Sequence, residues 1–156
     1  MGTTNNSEFL FGVYEQLKSA GINVWLFGGW AQELHALIPP REHKDIDFIY
    51  PAKNFSLLEE WIKTQPGIVE VTKKHFSHKR AYEWGGVLVE ITLINDSSTK
   101  FFDKYLFQWP KDTFGVGLTP QGEVIQIASI NAIIKYANHY KDFNYARATA
   151  DGLIAQ

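Results

Sequence analysis

At 156 residues and 45% apolar content the chain can fill one core, and a formal charge of −2 argues against broad nucleic-acid binding, which usually needs a basic face. The absence of cysteine excludes disulfides and thiolate zinc sites, and no apolar run reaches the length of a membrane span. The polar start MGTTNNSE has no signal-peptide pattern, so the expectation is a soluble cytoplasmic protein. One domain is expected over residues 1–156, with a core over about 5–127 and C-terminal helices over about 129–155.

In chain order, Ser7 is placed to cap a first helix, in which Leu10, Val13, Tyr14 and Leu17 follow the helical period and Gly21 ends it. Val24 to Phe27 reads as a buried strand, and Trp30 to Leu37 as a short helix stopped by Pro39-Pro40. Asp45 to Tyr50 is a second strand. Ser56 is expected to cap another helix, with Leu57, Leu58, Trp61 and Ile62 as one stripe and Pro66-Gly67 closing it. The period then changes to two. A strand begins at Val69, and Lys79–Trp84 and Val87–Ile94 form a hairpin about Gly85-Gly86. Residues 95–122, rich in Asp, Lys and aromatics, read as a long functional loop with room for one short element. Glu123 to Ile127 reads as a short strand. Ser129 should cap a helix with Ile130, Ile133, Ile134 and Ala137 facing inward, and a last helix should run from about Asn144. The expected class is α/β (α+β): a mixed sheet flanked by helices, with a C-terminal helical segment.

The most specific local feature is Gly28-Gly29-Trp30 followed fifteen residues later by Asp45-Ile46-Asp47. Side chains alternate along a strand, so Asp45 and Asp47 share one face. Two carboxylates so close repel each other unless a cation lies between them or one takes a proton. Magnesium suits the first solution, because it binds carboxylate oxygens and fills its shell with water and phosphate. The glycines let backbone N–H groups approach a phosphate at a helix start. These parts describe metal-assisted phosphoryl or nucleotidyl transfer. Glu90 is the only charge in the otherwise apolar run Val87–Ile94, and a lone buried carboxylate is costly unless paired or bound to a cation. Arg41 carries a fork suited to phosphate oxygens, whereas His43 is as well placed to orient an aspartate as to touch substrate. Trp30 either packs under the glycine turn or covers a ligand. The histidines show no recurring zinc-ligand spacing, and neither a P-loop nor a nucleophile elbow is present.

The string GGW…REHKDID, spanning Val24 to Tyr50, resembles the nucleotidyltransferases of the DNA polymerase β superfamily. More narrowly, it is similar to the lincosamide and aminoglycoside 2″-type antibiotic nucleotidyltransferases. The resemblance implies a nucleotidyltransferase fold and a magnesium-dependent enzyme that moves a nucleoside monophosphate, AMP from ATP, to a hydroxyl of a small organic acceptor. It implies that Asp45, Asp47 and Glu90 hold two Mg2+ ions and carry the catalysis, Glu90 as metal ligand, general base or both. Gly28, Gly29, Trp30, Arg41, Lys135 and Arg147 are then the nucleotide-binding residues. Asp96 and Asp103, in the long loop, are candidates to meet a cationic acceptor. Phe27 and Glu33 stand where relatives often carry Asp, which bears on the acceptor rather than on the carboxylates. The expected partners are a nucleoside triphosphate and a small-molecule acceptor, with no membrane and a possible homodimer. The alternatives are a protein-modifying, antitoxin-type nucleotidyltransferase and a non-catalytic nucleotide-binding domain of the same fold.

Overall fold

The computed structural model describes residues 4–150, with side chains through residue 148. The last helix, expected to run to about 155, lies outside the described residues beyond 150. Among the described residues no helix is long and apolar enough to cross a membrane.

Seven strands form one mixed sheet. They are β1 (Trp25–Phe27), β2 (Asp45–Pro51), β3 (Ile68–Glu70), β4 (Lys79–Trp84), β5 (Val87–Ile94), β8 (Phe114–Leu118) and β9 (Val124–Ala128). Their spatial order is β3-β4-β5-β2-β1-β9-β8. The central pair β2 and β5 runs parallel with Asp47 beside Glu90, while β1 runs antiparallel to β2 with Phe27 beside Asp47. Paired residues project to the same side of a sheet, so this register lines up Phe27, Asp47 and Glu90 on one face.

Two layers cover the sheet. On one side lie α1 (Ser7–Ser19) and α3 (Ser56–Ile62), around Trp84 and the Tyr50–Phe55 ring pair. On the other side, the face of Asp47, lies a small hairpin of β6 (Ser98–Phe101) and β7 (Tyr105–Gln108), with α4 (Ile130–Asn138) and α5 (Tyr140–Ala150). Its core is aromatic: Phe101, Phe107, Trp109, Tyr136 and Phe143 meet edge-on or tilted, apart from the stacked Trp109–Tyr136 pair, and Phe27 joins them from the sheet. Such offset and edge-to-face contacts are the favoured aromatic geometries.

The expected first helix, the Gly85-Gly86 hairpin, and the Ser129 cap, whose hydroxyl accepts the Ala132 N–H at 3.1 Å, all appear. Several expectations are corrected. Asn6, not Ser7, caps α1, its Oδ1 accepting the Phe9 N–H at 2.8 Å, and Ser7 instead donates to Gln121. Ser56 does not cap α3 either; its own N–H donates to Asn54 Oδ1. The helix after the glycines, α2 (Gly28–Leu34), begins two residues earlier than expected and stops short of Leu37. It ends because Ala36 adopts a left-handed conformation (φ 58°) and the Leu37 N–H folds back to Gln32 O, a Schellman-type close built without glycine. In α4, Ile130 and Ile134 are exposed and Ala132, Ile133 and Tyr136 face inward, because Tyr136 turns into the aromatic cluster. The last helix begins at Tyr140 rather than Asn144.

The largest correction concerns residues 95–122, which hold three strands. Two tight turns shape this segment, Asn95–Ser98 and Phe101–Lys104, and their central residues Asp96, Ser97, Phe102 and Asp103 all have φ between 51° and 63°. Both central residues at positive φ is the type I′ hairpin turn, normally announced by Asn-Gly or Gly-Gly. Truncating the centre of this layer should be severe. Phe107→Ala removes a ring that is 1% exposed and packs against the rings of Phe101, Trp109, Tyr136, His139 and Phe143, so it should lower folding stability by about 3–5 kcal/mol, read from urea denaturation midpoints.

Candidate active site

The chain leaves β1 at Phe27 and enters α2 at Gly28 with no intervening loop. Gly28 has φ 65°, and a Cβ placed there would lie 2.8 Å from Asp47 Cγ. Only glycine satisfies both constraints. A Cβ on Gly29 would lie 2.8 Å from Arg41 Nη2 and 3.1 Å from His43 Nδ1. The two glycines therefore present bare backbone between the Asp47 carboxylate and the Arg41 guanidinium. A cleft of about 360 Å³ opens there, lined by Gly29, Arg41, His43, Lys44, Asp45 and Asp47 among others.

The three acids sit at increasing depth. Asp45 is exposed, Asp47 half-buried and Glu90 buried. Burial, reinforced by the Asp45 charge and only partly opposed by Lys79 and Lys74, pushes the Asp47 carboxyl up to about 6. Glu90 has different company: Lys79 closes on its Oε2, and Lys74 stands 3.7 Å from Oε1. Burial pushes Lys79 downward, against the attraction of Asp47 and Asp45. Tyr136, in the aromatic layer, has its phenol pushed up to about 12 by burial and by Asp47.

Among the described residues no three His, Asp or Glu side chains converge as a metal cluster, and Glu90 is paired with its lysines. The donor chemistry nevertheless fits a hard divalent cation. Asp45 and Asp47 offer only carboxylate oxygens on one face, and a cation bound there would offset both the burial and the Asp45 charge that raise the Asp47 carboxyl.

The loop before the acids is held by hydrogen bonds. Glu33 Oε1 accepts the Arg41 backbone N–H at 2.9 Å and meets His43 Nε2 at 2.8 Å, tying the loop to α2. Asn5 donates to the carbonyls of His43 and Asp45 and accepts from Trp30 Nε1. Trp30 itself is buried, with its ring 4.1 Å from that of His43, so it packs under the turn. Arg41, by contrast, has no carboxylate within ion-pairing distance of its guanidinium among the described residues and borders the cleft.

The other expected residues lie elsewhere. Lys135 is engaged by the hairpin, donating to Gln108 O and standing 5.1 Å from the Phe107 ring centre, and it makes no contact with the acids. Arg147 lies over Phe102, near enough for its charge to act on Lys79. Asp96 and Asp103 line a separate cleft of about 330 Å³ past the far end of β5, where Asp103 accepts the Ser77 hydroxyl at 2.8 Å. Lys74, Lys79 and Tyr136 are the residues that sequence reasoning missed. The Gly85-Gly86 hairpin register pairs Ala81 with Glu90, and this sets Lys79 two residues away on the same face. That signal was available for Lys79. Nothing in the sequence pointed to the other two.

The profile of the family described as aminoglycoside-2''-adenylyltransferase matches residues 9–139. The chain belongs to that family. It is a nucleotidyltransferase with the nucleotidyltransferase fold, and solved structures agree. A lincosamide antibiotic adenylyltransferase, LnuA with lincomycin bound, is 15% identical, with a TM-score of 0.70 over 97% of this chain and 100% of its own. ANT(2")-Ia in complex with adenylyl-2"-tobramycin is 17% identical, with a TM-score of 0.63 over 94% of this chain and 93% of its own. A nucleotidyltransferase-like antigen of Paracoccidioides brasiliensis is 18% identical, with a TM-score of 0.53 over 94% of this chain and 78% of its own. No curated protein sequence matches the chain.

Within this family member, the raised Asp47 pKa carries a stability consequence. An acid that titrates near 6 when folded and near 3.8 when unfolded binds more protons in the native state between those values. The contribution of Asp47 to stability then falls as pH rises from about 4 to 6. In chelator at pH 7, Asp47→Asn should be more stable than the wild type, and the difference should vanish below about pH 4, as read from thermal midpoints across pH.

Proposed function

We propose that this nucleotidyltransferase moves AMP from Mg2+-ATP to a hydroxyl of a small organic acceptor of the aminoglycoside or lincosamide kind. The observation that carries the proposal is the alignment of Asp45, Asp47 and Glu90 on one face of β2 and β5, against bare backbone at Gly28 and Gly29. The family match and the antibiotic adenylyltransferases of the same fold support the acceptor class.

Asp45 and Asp47 would hold magnesium, with Glu90 completing the oxygen set. When bound, magnesium would neutralise phosphate charge and polarise the phosphorus under attack. The chain's own residues supply position and charge. Gly28 and Gly29 leave the triphosphate room to approach the main chain, and the Arg41 fork reaches the same cleft to bind phosphate oxygens. Glu90, deep and beside Asp47, accepts the acceptor's hydroxyl proton. The acceptor oxygen then bonds to the α-phosphorus, the bond from that phosphorus to the bridging β-phosphate oxygen breaks, and pyrophosphate departs. Trp30 keeps a packing role, holding His43 and through it the Arg41 loop.

Calorimetric titration with a non-hydrolysable ATP analogue should show binding that requires magnesium in the wild type and is absent in the Asp45→Asn/Asp47→Asn double variant. Turnover with aminoglycosides and lincosamides, followed by mass spectrometry for addition of one adenylate, should fall by about 10³-fold or more in Asp47→Asn. Magnesium-independent nucleotide binding that survives the double substitution would contradict the assignment.

A further inference from the structure

Lys79 does not behave like a surface lysine. It lies on β4, where Ala81 pairs with Glu90 and offers only a methyl group, leaving lateral space on that face. The Lys79 stem runs two residues along the sheet into this space and sets its ammonium on Glu90 Oε2. Its side chain is 24% exposed, against 39% for Lys74, which stands further off at 3.7 Å. The Lys79 charge also acts on Asp47 and is attracted by both Asp45 and Asp47, so a single ammonium serves all three carboxylates. Among the described residues Glu90 is the only carboxylate ion-paired with Lys79.

We propose that Lys79 is a tethered counter-ion of the acid site, which stabilises the metal-free protein and is displaced from Glu90 when a divalent cation binds. This inference rests on the reading of Asp45, Asp47 and Glu90 as a divalent-cation site. Two cations near the same carboxylates repel each other strongly in a partly buried setting, so the ammonium and the divalent ion compete. Loading the metal then releases Glu90 from the ammonium, and only the loaded site has a Glu90 oxygen available to take the acceptor proton. An unloaded enzyme keeps that base occupied. Lys79 is a positioning residue in this account, because it acts through Glu90.

The test uses Mn2+ alone, with the free ion followed by electron paramagnetic resonance, on the wild type, Lys79→Met, Lys79→Arg and Asp47→Asn. Lys79→Met should bind Mn2+ at least about fivefold more tightly than the wild type, and Lys79→Arg, which keeps the charge, should stay within about twofold. In chelator Lys79→Met should melt lower than the wild type, and Mn2+ should close the gap. A second measurement needs no variant: the acylation rate of Lys79 in the wild type, mapped by mass spectrometry, should rise severalfold when Mn2+ is added. Equal or weaker Mn2+ binding by Lys79→Met, or an unchanged or slower acylation rate at saturating Mn2+, would overturn the proposal. If Mn2+ binds the wild type and Asp47→Asn alike, the divalent-site reading has failed instead, and the proposal falls with it.

Discussion

Asp47 and Glu90 lie side by side on adjacent parallel strands, and the surrounding structure answers the charge they bring together. Carboxylates withdrawn from water are costly unless they meet countercharge or hydrogen-bond donors. The β2–β5 register forces their proximity, since a one-residue slip would turn one of them to the opposite face. Three local features follow. Gly28 must lack a side chain because Asp47 fills that space. Lys79 and Lys74 must reach across from the β4 side to Glu90. Asp47, withdrawn from water beside Asp45, has its carboxyl pushed up to about 6.

Such a site is destabilising, and the aromatic layer on the same face offsets it. Phe27 stands next to Asp47 in the β1–β2 register yet belongs to the cluster of Trp109 and Tyr136. Side by side on one surface are therefore an acidic half built for ligand and an apolar half built for cohesion. Tyr136 sits at their boundary, its ring in the cluster and its phenol in the field of Asp47. Holding the Arg41 loop by Glu33 and Asn5 leaves the guanidinium bordering the cleft, without a carboxylate partner among the described residues.

The acid site was legible from sequence because its chemistry is local. Gly28-Gly29 and Asp45-x-Asp47 occupy one strand-helix-strand unit, and Glu90 stood out as a lone charge in an apolar strand. The hairpin register even contained the Lys79 contact, although reading it required looking across the strand pair from Glu90 rather than along β5. Two of the misreadings share a cause. Residues 95–122 looked irregular because their turns place Asp96, Ser97, Phe102 and Asp103 in left-handed conformations that glycine or asparagine usually announces. The ends of α2 were misread for the same reason, with Ala36 doing a glycine's work and Gly28 serving as the first helical residue. The face of α4 turned on a long-range contact of Tyr136 that no periodicity within the helix reports. Lys135, plausible by its position on a C-terminal helix, was drawn instead to the Phe107 ring.

The role of the acids depends on their meeting a divalent ion. The direct measurement is anomalous diffraction from crystals grown with Mn2+ and a non-hydrolysable ATP analogue. The expected result is anomalous density against Asp45 and Asp47, triphosphate oxygens over Gly28-Gly29, and the Lys79 ammonium withdrawn from Glu90. Nucleotide bound away from these residues, or Mn2+ absent from Asp45 and Asp47 with Lys79 still on Glu90, would contradict it.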